Sequence, residues 1–262
     1  MAGMTGKTPS ATYKDLLKIE NSNSGIDDTL RQVEDGAGDG SALYIETNSI
    51  RVKPEADDTA LFDVHDKDGN SKFKVDTSND LVTAVGHYIN TQYAYFGVSS
   101  GVAAYFVVDA HHPLPFVGNN TSSTLQDNIT FGTDTDPATT FTTADGSTTD
   151  ASLLVNVMWL VPDNITIDAV HSLEGVEGSG ERITRMHLFS YTFTSGSTSA
   201  LTSGTLLAHN SDVTNDGSEQ AYKSTWTVDS ANVNANKVIL AFFQMDTVDN
   251  PSVNITVKYH LR

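Results

Sequence analysis

The chain has 262 residues, 38% of them apolar, enough for one large domain or two modest ones with an arm. Its 33 acidic side chains against 15 basic ones give a formal net charge of −18. Such a field repels phosphate backbones and anionic membranes, and with no local basic cluster it excludes direct DNA or RNA binding. The absence of cysteine excludes a disulfide framework, a thiolate metal site and a cysteine nucleophile, and suits a protein made in a reducing cytoplasm that later works outside it.

Met1 to Ser10 is small and polar, without the apolar h-region of a signal peptide, and reads as a flexible arm. No run approaches the ~18 apolar residues of a membrane span, so no membrane insertion is expected. Tyr13, Leu16 and Leu17 follow at helical spacing, then Ile26, Leu30 and Val33 at i, i+4 and i+7. This predicts two short helices, separated by Asn21 to Gly25 and ended by Gly36-Ala37-Gly38. Helices that short must dock, either on their own chain or on another protein.

From Asp39 the residue types change to those of strands: Leu43-Tyr44-Ile45, Ser49 to Val52, Leu61 to Val64, Lys72 to Val75 and Leu81 to Ala84. Leu61-Phe62-Asp63-Val64 and Lys72-Phe73-Lys74-Val75 superimpose at a spacing of 11, with the hairpin signal Asp68-Gly69-Asn70 between them. Alternation at period two predicts one apolar row of Tyr44, Ile50, Val52, Phe62, Val64, Phe73 and Val75. A single thin segment cannot bury such a row. Copies of the same segment around an axis are its simplest cover. Asp66-Lys67-Asp68-Gly69 has a trace of a calcium loop, but Val64 stands at the first ligand position and no Glu at the last.

An aromatic stretch, Tyr88, Tyr93, Tyr95 and Phe96, leads into Val102–Val108. Residues 118–150 read as loops and extended segments, with Asp134 and Asp136 on a solvated loop. Strand-length apolar runs then recur at Leu153–Val161, Ile165–Val170, Ile183–Phe193, Lys237–Met245 and Val253–Tyr259, with shorter candidates at Leu206-Leu207 and Trp226-Thr227-Val228. Turn clusters separate them, a pattern that predicts a β-sandwich or jelly roll. The last run alternates apolar with polar residues, so one face is buried and one wet, and as a core strand that ends the domain it is expected inside a sheet rather than at its edge. Asn-x-Ser/Thr triplets at Asn119, Asn120, Asn128, Asn164 and Asn254 read as ordinary loop and strand sequence.

Chemical motifs are lacking: there is no nucleophile elbow, zinc-binding H-E-x-x-H or phosphate loop. Gly175-x-x-Gly178-x-Gly180 has the wrong spacing for a dinucleotide turn, and Glu174, Glu177 and Glu181 would repel a pyrophosphate. His111 and His112 point to opposite faces of a strand and meet one ion only around a three-fold axis. Trp159 reads as core. Trp226, between Thr225 and Thr227, packs in a core or interface or else stacks on a sugar beside Tyr222.

One resemblance stands out. Lys14-Asp15-Leu16-Leu17-Lys18-Ile19, Gly25-Ile26-Asp27, Leu30 to Gly36, Ser41-Ala42-Leu43, Ile50-x-Val52-x-Pro54 and Phe73-x-Val75-Asp76 resemble the N-terminal region of virion structural proteins of tailed bacteriophages. The likeness covers about a quarter of the chain and is one of texture. It implies a homotrimer, an N-terminal peptide that holds the particle and a shaft of intertwined strands. The C-terminal half is similar in architecture to the tumour-necrosis-factor/C1q-type heads of trimeric fibres.

The expectation is therefore a mainly β virion protein, assembled in the host cytoplasm, without enzymatic activity or cofactor. It has a short-helix docking arm (1–38), an intertwined trimeric β-stem (39–87) and a jelly-roll head (88–262). Leu16, Leu17, Ile26, Leu30 and Val33 would enter a groove on a capsid, collar or tail protein. The rival expectation is a fibre tip that recognises a host surface glycan through Trp226 or Tyr222. A depolymerase-like enzyme would need a groove with a carboxylate pair.

Overall fold

The computed structural model describes residues 16–22, 24–98, 107–116, 140–143, 151–177, 180–216, 220–247 and 249–262. Residues 1–10, Tyr13, Val102 to Phe106, Asp134, Asp136, Gly178 and the triplets at Asn119, Asn120 and Asn128 lie outside them. The chain is mainly β, in several antiparallel sheets, and divides into two compact units, residues 1–89 and 90–262.

The first unit holds two four-stranded sheets. β1 (Lys18–Ile19), β2 (Arg31–Glu34), β3 (Gly40–Ile45) and β4 (Ile50–Val52) lie in that order in one. β5 (Phe62–His65), β6 (Ser71–Asp76), β7 (Leu81–Ala84) and β8 (His87–Tyr88) form the other. The expected arm helices are absent from the described residues, and β1 and β2 stand in their place. Ile26, Leu30 and Val33 do sit at helical spacing, but Asp27-Asp28-Thr29 is turn chemistry. The Asp27 carboxylate accepts the Thr29 N–H at 3.0 Å and pairs with Arg31 at 2.9 Å, closing a loop rather than a helical turn. Pairing with β3 then satisfies the backbone of β2, which an isolated short helix could not do as well. Gly36-Ala37-Gly38 is the turn of the β2–β3 hairpin.

The two runs that superimpose at a spacing of 11 are the two arms of another hairpin. Phe62 faces Val75 and Val64 faces Phe73 across β5 and β6.

In the second unit β9 (Thr91–Val98), β10 (His112–Pro113), β11 (Trp159–Val161), β12 (Ile165–Glu177) and β13 (Glu181–Thr192) come first. They are followed by β14 (Thr205–His209), β15 (Val213–Asp216), β16 (Ala221–Thr225), β17 (Thr227–Val228), β18 (Asn232–Val233), β19 (Lys237–Met245) and β20 (Asn250–Leu261). The expected run from Leu153 opens instead on a 3-10 turn, Ala151–Leu154, and only its end is β11. A five-stranded sheet has the order β16-β12-β20-β9, with β18 also on β12. The C-terminal strand is thus internal, between β12 and β9. A seven-stranded sheet has the order β10-β19-β13-β14-β17, with β11 on β19 and β15 on β13.

The two sheets share one core, to which Phe96, Val170 and Ile255 come from the first and Met186, Leu188 and Phe243 from the second. The far face of the seven-stranded sheet is covered too. There Phe189, Tyr191, Leu240 and Phe242 pack with Leu154, Val157 and Leu201. Double-sided burial explains why β19 reads Lys-Val-Ile-Leu-Ala-Phe-Phe-Gln-Met, a continuous apolar run, whereas β20 alternates.

Candidate functional site

The sheets of the first unit are single layers with an apolar face open to solvent. In the second sheet β5, β6 and β7 bring Phe62, Val64, Phe73, Val75, Val82 and Ala84 to one face by register. Phe62 and Phe73 meet edge to face with ring centroids 6.2 Å apart, yet Phe62 remains 46% exposed and Val64 44%. In the first sheet Leu43 faces Val52 and Ile45 faces Ile50, and Ile50 is 72% exposed. Leaving a Phe or Val side chain open forgoes about 1.5–3 kcal/mol that burial would supply. Several such residues side by side form a patch that asks for a cover.

Of the row expected from the sequence, Ile50 and Val52 are exposed on the first sheet and Phe62, Val64 and Phe73 on the second, where Val75 is half-buried. Tyr44 lies elsewhere. It pairs with Gln32 and Arg51 on the opposite face, where it lines a polar cleft of about 460 Å³ with Lys53 and Glu55. The row runs through its neighbours Leu43 and Ile45. Period-two alternation fits either parity there, and only the cross-strand partner decides between them. Of the residues expected to dock, Leu16, Leu17 and Ile26 are exposed, Leu30 is half-buried, and Val33 is buried beside Ile19 of β1.

The turns of these sheets are held by aspartates. Asp66 accepts the backbone N–H groups of Asp68 and Asn70, both at 2.9 Å, and pairs with Lys72 at 3.0 Å. The Asn70 backbone N–H, then its side-chain amide and Lys72, hold the Asp66 carboxyl at about 2. A carboxylate so engaged is a turn brace.

In the second unit Trp226 is a core residue, 5% exposed, whose indole N–H donates to the Ser172 hydroxyl at 3.0 Å. It is therefore not available to stack on a sugar, and Tyr222 beside it is half-buried with its hydroxyl donating to Gln220. Exposed aromatics sit instead on the solvent face of the five-stranded sheet. Tyr93 and Tyr95 alternate with the buried Ala94 and Phe96 on β9. Across from Tyr95 come Thr256 and then His171, which meets the Thr225 hydroxyl at 3.1 Å. The aromatic stretch is visible in the sequence. Which of its residues face out follows only from the pairing with β20.

His111 and His112 are both buried, the first against Phe141 and His187, so they are interior residues of one chain rather than a site open to an axis. Burial lowers the His112 imidazole to about 4, and its Nε2 accepts the Val107 N–H at 2.9 Å. Glu174, expected from the sequence only to repel a pyrophosphate, is buried near the end of β12. It accepts the Thr184 hydroxyl from the other sheet, its second oxygen has no partner, and burial pushes its carboxyl up to about 7. Among the described residues no group of three or more His, Asp or Glu side chains is placed to hold a metal ion.

No protein-family model, no curated protein and no solved structure matches the chain.

Proposed function

We propose that the chain is a non-enzymatic structural subunit of a tailed-bacteriophage particle: a homotrimeric fibre or capsid-decoration protein, with the N-terminal segment as its anchor and residues 90–262 as a jelly-roll head. The observation that carries this reading is the open apolar face on each sheet of the first unit, a face that one chain leaves wet and a ring of copies would cover. Three anchors joined at one stem raise each other's effective concentration, so weak contacts with a capsid, collar or tail protein add up to lasting attachment.

The docking role falls on Leu16 and Leu17, both exposed ahead of β1, and on Ile26. β2 belongs to the stem because it pairs with β3, so the informative truncation stops before Lys18. Removal of residues 1–17 should abolish attachment to the particle and leave the oligomer intact. Attachment that survives this truncation refutes the anchor.

A second reading is a fibre tip that binds a host glycan, and Tyr93 and Tyr95 favour it. Two exposed tyrosines at i and i+2 offer apolar ring faces beside the hydroxyl of Thr256 and the imidazole of His171. A glycan array probed with the intact chain and with Tyr93→Ala/Tyr95→Ala separates the readings. Signal lost in the variant supports the tip, and silence in both leaves the structural role.

A further inference from the structure

The first unit contains a structural duplication that the 11-residue spacing conceals. β2-β3-β4 and β5-β6-β7 are the same three-stranded meander, offset by 31 residues over its first hairpin: Leu30, Val33, Asp35 and Gly38 correspond to Leu61, Val64, Asp66 and Gly69. The hydrogen bonds repeat with the residues. Asp27 accepts the Thr29 N–H at 3.0 Å through its side chain and the Thr47 N–H at 2.8 Å through its carbonyl. Asp58 accepts the Ala60 N–H at 2.7 Å and the Thr77 N–H at 2.9 Å in the same two ways. Asp35 braces its turn by accepting the N–H groups of Ala37 and Asp39 at 2.7 and 2.9 Å, as Asp66 does with Asp68 and Asn70. Gly38 and Gly69 take the same left-handed backbone, with φ of 96° and 85°. Each first strand carries one register irregularity near its end, at Gln32/Glu34 and at Val64/His65. The third strands close alike, Lys53 N–H on Ala42 and Val85 N–H on Lys72.

The duplication extends to the open face. Leu43 and Ile45 of β3 are the counterparts of Phe73 and Val75 of β6, and each pair is flanked by apolar partners on the third strand. Leu43 and Phe73 are left exposed to nearly the same degree, 38% and 37%. Tyr44 corresponds to Lys74 on the opposite face. A repeated unit that cannot bury its own apolar face is stabilised by stacking on like units. Here the two repeats of one chain leave their faces open, so the like units belong to other chains.

We propose that each repeat forms its own layer of the stem, covered by the same repeat of the other copies: first repeat on first repeats, second on second. Closed cyclic symmetry carries a given residue of every chain to one height along the axis, so two repeats at different heights each meet their own copies. The inference rests on the homotrimer reading and adds the identity of the contact. The stem is then modular, and its length is set by the number of repeats.

Because the chain has no cysteine, single substitutions report contacts in the full-length protein. Leu43→Cys and Phe73→Cys probe the equivalent central strands of the two layers, and Tyr44→Cys and Lys74→Cys probe the opposite faces. After mild oxidation, each of the first two variants should cross-link to itself, in at most two of every three chains, and the opposite-face variants should not. Cross-links that form only when Leu43→Cys and Phe73→Cys chains are mixed overturn the layering, as do cross-links confined to Tyr44→Cys and Lys74→Cys. Sedimentation before oxidation keeps the two ideas apart. A three-chain mass with the wrong cross-links rejects the layers alone, and a single-chain mass rejects the homotrimer beneath them.

Discussion

In residues 90–262 the apolar strands find their cover within the chain. β19 is sealed on one face by the five-stranded sheet and on the other by Leu154, Val157 and Leu201. In residues 18–88 the strands are as apolar on one face, yet β6 leaves Phe73 open and β4 leaves Ile50 open. The difference is one of layers. Two packed sheets make a core, and one sheet makes only half of it. The first arrangement needs no second chain to close its core, whereas the second would gain stability by mass action wherever copies gather.

The comparison breaks most visibly in the core. Phe243→Ala removes a fully buried ring from between the two sheets and should cost about 3–5 kcal/mol, read from urea unfolding of the intact chain. A cost below about 1 kcal/mol would mean that this core is not closed as described.

The Glu174 contact tests the same unit through pH. Burial raises its carboxyl from the ordinary 4.5 to about 7, so the folded state binds the proton more tightly than the unfolded state. The stability it contributes is complete below about 4.5 and is lost as pH rises through about 7. The loss amounts to roughly 3 kcal/mol. Unfolding followed across that window should show the fall, and Glu174→Gln should flatten it. A profile unchanged by Glu174→Gln contradicts the assignment.

Phe73→Asp moves the test to the open face. A carboxylate there barely disturbs a lone sheet, but in an assembly it is desolvated beside its own copies. Self-association should weaken at least tenfold, about 1.4 kcal/mol, by sedimentation equilibrium, with the second unit's unfolding unchanged. The smallest effect belongs to the turn braces. Asp35→Ala and Asp66→Ala should each loosen only its own turn, seen as faster amide exchange at Ala37 and Asp39 or at Asp68 and Asn70. Equal effects would mark the two turns as equivalent.

Much of this was legible in the sequence because strand chemistry is local. The continuous run of β19, the alternation of β20 and the Asp68-Gly69-Asn70 hairpin all announce themselves. What failed depends on pairing. Three apolar residues at helical spacing, Ile26, Leu30 and Val33, cannot outweigh the partner strand that β3 offers. Tyr44 lies on the opposite face from the one its spacing predicts because its parity is fixed by Arg51 and Gln32 across the sheet. The 31-residue repeat is faint in the sequence because many of its matching positions are turn residues, whose likeness lies in hydrogen bonds. Trp226 fits core or surface by sequence alone, and only its bonds to Val170 and Ser172 across the sheet decide for the core.

The most direct test is the sedimentation mass of the intact chain across a dilution series. A mass of three chains at micromolar concentration, falling on dilution or in Phe73→Asp, is what covered apolar faces predict. A well-folded single chain at every concentration, with Phe73 and Ile50 still open to water, would contradict the account.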